Sequence, residues 1–97
     1  MNIGVSWFDN EVMPRLDGYS TVRSSFRGGE FGDLERLEIE ADSKMGTIEL
    51  WSEGWVSFDI FDLTIEEQTL NRLLSPDEAE LIPNILREFF AGMIVST

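Results

Sequence analysis

In three runs between Leu34 and Leu63, apolar and polar residues alternate with a period of two. That pattern commits the middle of the chain to half-buried antiparallel strands. In LERLEIEA, residues 34–41, Leu37, Ile39 and Ala41 point one way while Arg36, Glu38 and Glu40 point the other. In residues 46–52, Gly46, Ile48 and Leu50 share one side and Thr47, Glu49 and Trp51 the other. The run 55–63 sets Val56, Phe58 and Ile60 against Trp55, Ser57, Asp59, Phe61 and Leu63. Each strand thus has one oily side. The opposite side is rich in acids and carries Trp51 and Trp55.

Parity constrains the register, because a slip of one residue turns every side chain to the wrong face. A two-residue turn at Glu53-Gly54 would set Leu50 against Ser57 and Ile48 against Asp59. A three-residue Ser52-Glu53-Gly54 turn instead faces Ile48 with Phe58, Leu50 with Val56 and Trp51 with Trp55, and it places Gly54 in the left-handed conformation such a turn needs. The same reasoning favours a four-residue loop at 42–45, pairing Ala41 with Gly46, Ile39 with Ile48 and Leu37 with Leu50. The second face is then expected in rows Glu40–Thr47–Asp59, Glu38–Glu49–Ser57 and Arg36–Trp51–Trp55. Directly opposed Glu38 and Glu49 would destabilise by about 0.2–1 kcal/mol. Two readings of that face follow. It is ordinary solvated surface, with the tryptophans under the N-terminal helix, or it is an acidic, aromatic-edged surface for a basic protein partner.

The flanking segments complete the expected fold. Val5, Phe8, Val12 and Leu16 recur at helical spacing, Ser6 and Asp9 suggest a capping box, and Pro14 interrupts the pattern. A short or broken helix is therefore expected over residues 6–17, stopped by Asp17-Gly18. Tyr19 to Arg27 reads as a strand, and Gly28, Gly29 and Gly32 as a loop. Gln68 to Leu74 is an edge strand or an extended connection. Ser75-Pro76-Asp77-Glu78 is a helix start with Ser75 as cap, and Ile82, Ile85, Leu86, Phe89, Phe90 and Met93 form the stripe to be buried. Pro83 should bend or split that helix. The 97 residues form a single domain of α+β class. It is expected as an antiparallel four- to five-stranded meander with a short N-terminal helix and a C-terminal helix packed on one face.

Composition narrows the function. Seven basic and 19 acidic residues give a formal charge of −12, so the chain has no basic footprint for nucleic acid or an anionic membrane. That charge suits a cationic partner met by electrostatic steering. Cysteine and histidine are both absent, which removes disulfides, thiolate metal sites, cysteine nucleophiles and the commonest general base. Arg27-Gly28-Gly29-Glu30-Phe31-Gly32 lacks the lysine and the spacing of a phosphate loop. No calcium loop, signal peptide or membrane-length apolar run is read in the chain. The expectation is a cytoplasmic binding protein with no enzymatic activity and no cofactor.

The stretch GTIELWSEGWVSFDIFDL, residues 46–63, resembles the central hairpin of small immunity proteins from bacterial polymorphic toxin systems. It is most similar to the TriTu-type immunity family, whose members carry a G-x-[IV]-x-L-W-x-S/E-G turn before an alternating, acid-ended strand. Ile65-Glu66-Glu67-Gln68 and the Glu78–Phe90 helix fall in comparable places, so the resemblance spans residues 46–90. Trp55 departs from the pattern, and the N-terminal third has no counterpart in it. The resemblance implies a cytosolic protein that binds and neutralises the toxic domain of a secreted or contact-dependent effector by covering its active site or a nearby exosite. Many such toxins are nucleases with basic clefts, where carboxylates replace phosphates. The contact surface expected here is Glu38, Glu40, Glu49 and Asp59, with Trp51 and Trp55 as anchors and Glu53 at the hairpin tip. The competing readings are a nucleic-acid mimic acting on many DNA-binding proteins, a non-catalytic adaptor that self-associates through the tryptophan edge, and a small hydrolase built on carboxylates alone.

Overall fold

A computed structural model describes residues 5–16 and 18–93 of the chain. Five strands follow one another in both sequence and space: β1 (Ser20–Gly29), β2 (Gly32–Ala41), β3 (Lys44–Trp51), β4 (Val56–Asp62) and β5 (Glu67–Leu74). All neighbours are antiparallel, and β1 and β5 are the two edges. The undecided segment before Ser75 is therefore a strand. It carries a bulge opposite Ile60 and Phe61, where the pairing skips Thr69.

The β3–β4 hairpin has the expected register, with Ile48 opposite Phe58 and Leu50 opposite Val56. The amide of Trp51 donates to the Trp55 carbonyl at 2.9 Å, and Gly54 sits at φ +102°. The β2–β3 register differs from expectation by two residues. Leu37 faces Ile48, Ile39 faces Gly46, and Ala41 faces Lys44 across a two-residue Asp42-Ser43 turn. Asp42 takes φ +47°, a left-handed conformation that Asp tolerates better than most residues. Faces are unchanged by a shift of two, so the oily sides still coincide. Opposite partners, however, are all replaced.

The C-terminal segment begins as anticipated. The Ser75 amide donates to Glu78 Oε1 at 3.0 Å, closing the start of a 3₁₀ turn at Pro76–Leu81. Pro83 then lies in the first turn of α2 (Ile82–Met93), where its missing N–H costs nothing, so the helix is split rather than bent. All six residues of the expected stripe are buried. Phe89 meets Phe58 with ring centroids 6.0 Å apart. The close approach of α2 to the sheet requires Gly46: a Cβ there would lie 2.7 Å from Phe89 Cζ and 2.8 Å from Met93 Sδ.

The N-terminal segment is irregular. It runs from a turn of α-helix, α1 (Val5–Trp7), through a π-helical stretch at Phe8–Val12 to a 3₁₀ turn at Met13–Arg15. Ser6 lies inside α1 instead of capping it. The expected stop at Asp17 and the side chain of Val5 fall outside the described residues. Phe8, Val12 and Leu16 are buried in the same core as Leu37, Ile48 and Phe89. Arg23, on the core side of β1, binds Asp9 at 2.7 Å and sits over the Phe8 ring. Arg15 lies over Phe90 of α2, so the N-terminal segment and α2 share one face of the sheet. The tryptophans are on the other face, which leaves the expectation of an N-terminal helix above them overturned.

Candidate functional site

With both helical segments on one face, no element among the described residues lies over the second face of the sheet. Strand pairing places its residues in rows running from β1 to β5. One row is Ser20–Glu40–Met45–Phe61–Gln68, the next Val22–Glu38–Thr47–Asp59–Asn71, and the third Ser24–Arg36–Glu49–Ser57–Leu73. Beyond them Phe26, Leu34 and Trp51 align towards the β3–β4 turn.

The corrected register removes the clash expected between Glu38 and Glu49. Glu49 instead faces Arg36, whose Nε donates to Glu49 Oε2 at 2.8 Å, and Ser57 Oγ donates to Oε1 at 3.0 Å. Both carboxylate oxygens are thus satisfied, and the Glu49 side chain is only 15% exposed. The Arg36 guanidinium also lies over the Phe26 ring at 5.0 Å. Glu49 is therefore a half-buried structural partner of Arg36 and not a free contact acid. Glu40 is likewise moved, since it aligns with Met45 and not with Thr47 and Asp59.

Glu38 faces Thr47, which faces Asp59, so these two acids flank one small residue. Neither Glu38 nor Glu40 makes an ion pair among the described residues. Asp59 Oδ1 accepts from Gln68 Nε2 at 3.1 Å, and Gln68 Oε1 accepts from Asn71 Nδ2 at 3.1 Å. Partial burial pushes the Asp59 carboxyl above its ordinary range, and the nearby Glu49 charge pushes it further in the same direction. A shallow depression of about 490 Å³ opens at this point, lined among others by Glu38, Met45, Thr47, Asp59 and Phe61.

Trp51 and Trp55 are half-buried, and the residue that covers them was not among the expected site residues. Phe31, from the β1–β2 turn, stacks on Trp55 at 4.5 Å and meets Trp51 edge-on at 5.7 Å. Its turn is fastened to the β3–β4 turn by three hydrogen bonds. The Ser52 amide donates to the Asp33 carbonyl, the Glu53 amide to the Phe31 carbonyl, and the Asp33 amide to Ser52 Oγ. Gly32, at φ +93°, permits this because a side chain there would run into Ser52 Oγ. The Glu53 side chain is exposed at the tip, apart from the acids around Thr47.

The expected residues therefore divide. Glu38 and Asp59 converge on one depression and Glu40 lies outside its lining, whereas Glu49 lines it but is internally paired, the tryptophans are part of an aromatic cluster, and Glu53 stands alone. Val22, Phe26, Met45, Phe61 and Leu73 are exposed apolar members of the same face. The alternation of β4 already placed Phe61 there, while the β1 and β5 members needed the strand order. Among the described residues no three carboxylates converge to hold a metal ion, and no helix is long and apolar enough to cross a membrane. Comparison with protein-family models, with curated proteins and with solved structures finds no match to this chain.

Proposed function

We propose that this protein is a non-catalytic inhibitor that uses the uncovered face of its sheet to cover a basic surface of a partner protein, and that the partner is a bacterial toxin domain. The supporting observation is the face itself: five exposed apolar residues share one side of the sheet with Glu38, Glu40 and Asp59. Met45 and Phe61 are direct cross-strand neighbours, and Val22, Phe26 and Leu73 lie around them among the acids, a mixture of apolar and acidic side chains suited to contact with another protein. Interfaces combine apolar contact, which supplies affinity, with complementary charge, which supplies selectivity and speed of encounter. A formal charge of −12 fits a partner whose own site is cationic, such as a nuclease cleft. The resemblance of residues 46–90 to immunity proteins points the same way and makes the cytoplasm the place of action.

The test is a titration against the C-terminal toxin domain of an effector encoded beside this chain. A one-to-one complex that abolishes toxicity is expected. Glu38→Lys with Glu40→Lys should weaken it at least tenfold and flatten its salt dependence, since both acids are exposed or half-exposed and unpaired. A complex indifferent to that double substitution would remove the face from the function. Binding to many unrelated basic proteins, all released by moderate salt, would replace the inhibitor of one toxin with a general polyanion.

A further inference from the structure

We propose that the depression over Thr47 receives the guanidinium of one arginine side chain presented by a basic partner protein, with Asp59 and Glu38 as its acceptors and Met45 and Phe61 against its aliphatic stem. The inference rests on the open face as a binding surface, but not on the partner being a toxin.

The row Glu38–Thr47–Asp59 sets two carboxylates on the strands either side of a short side chain. Adjacent strands are separated by about 4.8 Å, so the two acid-bearing strands stand roughly 10 Å apart, wide enough for a planar guanidinium between them. In the next row Met45 and Phe61 are 38% and 40% exposed, and they form an apolar wall on one side of the depression. Arginine suits this mixture better than lysine. Its head is weakly hydrated and stacks on aromatic rings, its stem is apolar, and its forked donors can serve two carboxylates at once.

The opposite wall does not compete for that ligand. Arg36 is already committed to Glu49, and both Glu49 oxygens are occupied. Across the lining, three carboxylates (Glu38, Glu49 and Asp59) stand against the single Arg36 guanidinium. Asp59 is held partly out of water by burial, and among the described residues only an amide donates to its side chain. A carboxylate in that condition gains more from an incoming cation than one that is fully hydrated.

Charge also decides between a basic partner and a second copy of this chain. The strand rows of this face hold four carboxylates, Glu38, Glu40, Glu49 and Asp59, and one cation, Arg36. Two such faces brought together would oppose like charges in the centre of the contact, which disfavours the pairing or forces protonation.

The experiment titrates Nα-acetyl-arginine amide into the isotopically labelled full chain and follows backbone amide shifts by NMR at low salt. Saturating shifts confined to the amides around Glu38, Thr47, Asp59 and Phe61 are expected. Asp59→Asn, which keeps an oxygen for Gln68, should weaken the binding at least tenfold with the spectrum otherwise unchanged, while Glu53→Gln should leave it as it was. The lysine analogue should bind measurably less well. Shifts scattered over the acidic surface, an unaffected Asp59→Asn, or equal binding of the lysine analogue would each overturn the assignment. Concentration-dependent shifts on this face without any probe would do the same, in favour of self-association. Failure here is separable from failure of the proposed function. A toxin complex lost in Glu38→Lys/Glu40→Lys but untouched by Asp59→Asn refutes the arginine site alone, and a working arginine site with no toxin complex refutes only the toxin.

Discussion

Replacement of Gly46 by alanine tests how closely α2 is seated on the sheet. The added methyl would stand 2.7 Å from Phe89 Cζ, 3.0 Å from Phe89 Cε1 and 2.8 Å from Met93 Sδ, all inside van der Waals contact. Met93 is unbranched and can turn aside, but Phe89 is fully buried between Phe58 and Phe90 and has no free direction. Overpacking of this kind costs about 1–3 kcal/mol. Loss of glycine from the unfolded chain returns about 0.4–1 kcal/mol. The net destabilisation expected is therefore about 0.5–2 kcal/mol, or a fall in Tm of several degrees for a chain this size. Urea unfolding should show a lower midpoint with the slope unchanged. Met93→Ala is itself costly, but in its background the Gly46→Ala penalty should shrink, because the thioether contact is relieved while the Phe89 contact remains. An unchanged or raised midpoint in the single variant, or simple additivity in the double, would refute the close contact of α2 with β3.

Two further outcomes follow from the open face. A double-mutant cycle of Arg36→Met and Glu49→Gln should give a coupling of about 1 kcal/mol, between the values for exposed pairs and for bonds to fully buried charges. Under the register expected from parity, with Glu49 opposite Glu38, the cycle would show no such coupling. Asp59→Asn should raise Tm at neutral pH, because the native carboxyl is held above its unfolded value and its ionised form is disfavoured in the fold. Between the unfolded and the raised folded value the native state binds more protons, so stability falls as pH rises through that window. The advantage of Asp59→Asn should therefore close as pH drops below it, and a pH-independent difference would refute the burial argument.

Much of this architecture is legible in the sequence, and the misses have identifiable causes. The β3–β4 register was readable because the alternative would bury Ser57 and Asp59 in the core. The β2–β3 register was not, because a slip of two residues keeps Leu37, Ile39, Ile48 and Leu50 on the same side. Hydrophobic pattern is silent about such a slip. Charge is not: the two-residue turn brings Arg36 to Glu49, and that pairing could have distinguished the two. The α2 stripe was readable because six apolar residues at helical spacing leave one face to bury. Nothing local announces that Phe31, in a glycine-rich turn, reaches across to Trp51 and Trp55. Such contacts depend on the packing of two turns that are remote in sequence. In the site, the acids were legible as a set, but which of them lack a cation depends on that same register.

The ends of the sheet carry a consequence for handling the protein. β1 presents ten residues with no proline, and β5 presents eight, each with one side of its backbone unpaired. Such edges are templates for pairing with another molecule, and natural sheets usually blunt them with proline, lysine or a covering segment. Here a bulge near Phe26 bends one end of β1, and long-range repulsion between strongly acidic molecules supplies the remaining protection. That repulsion vanishes where the net charge passes through zero, near pH 4.1. Around that pH, sheet edges and bare apolar side chains lose their common safeguard together. Precipitation there should be sharp and reversible on raising the pH while the fold persists, and at neutral pH salt should favour association by screening the same repulsion.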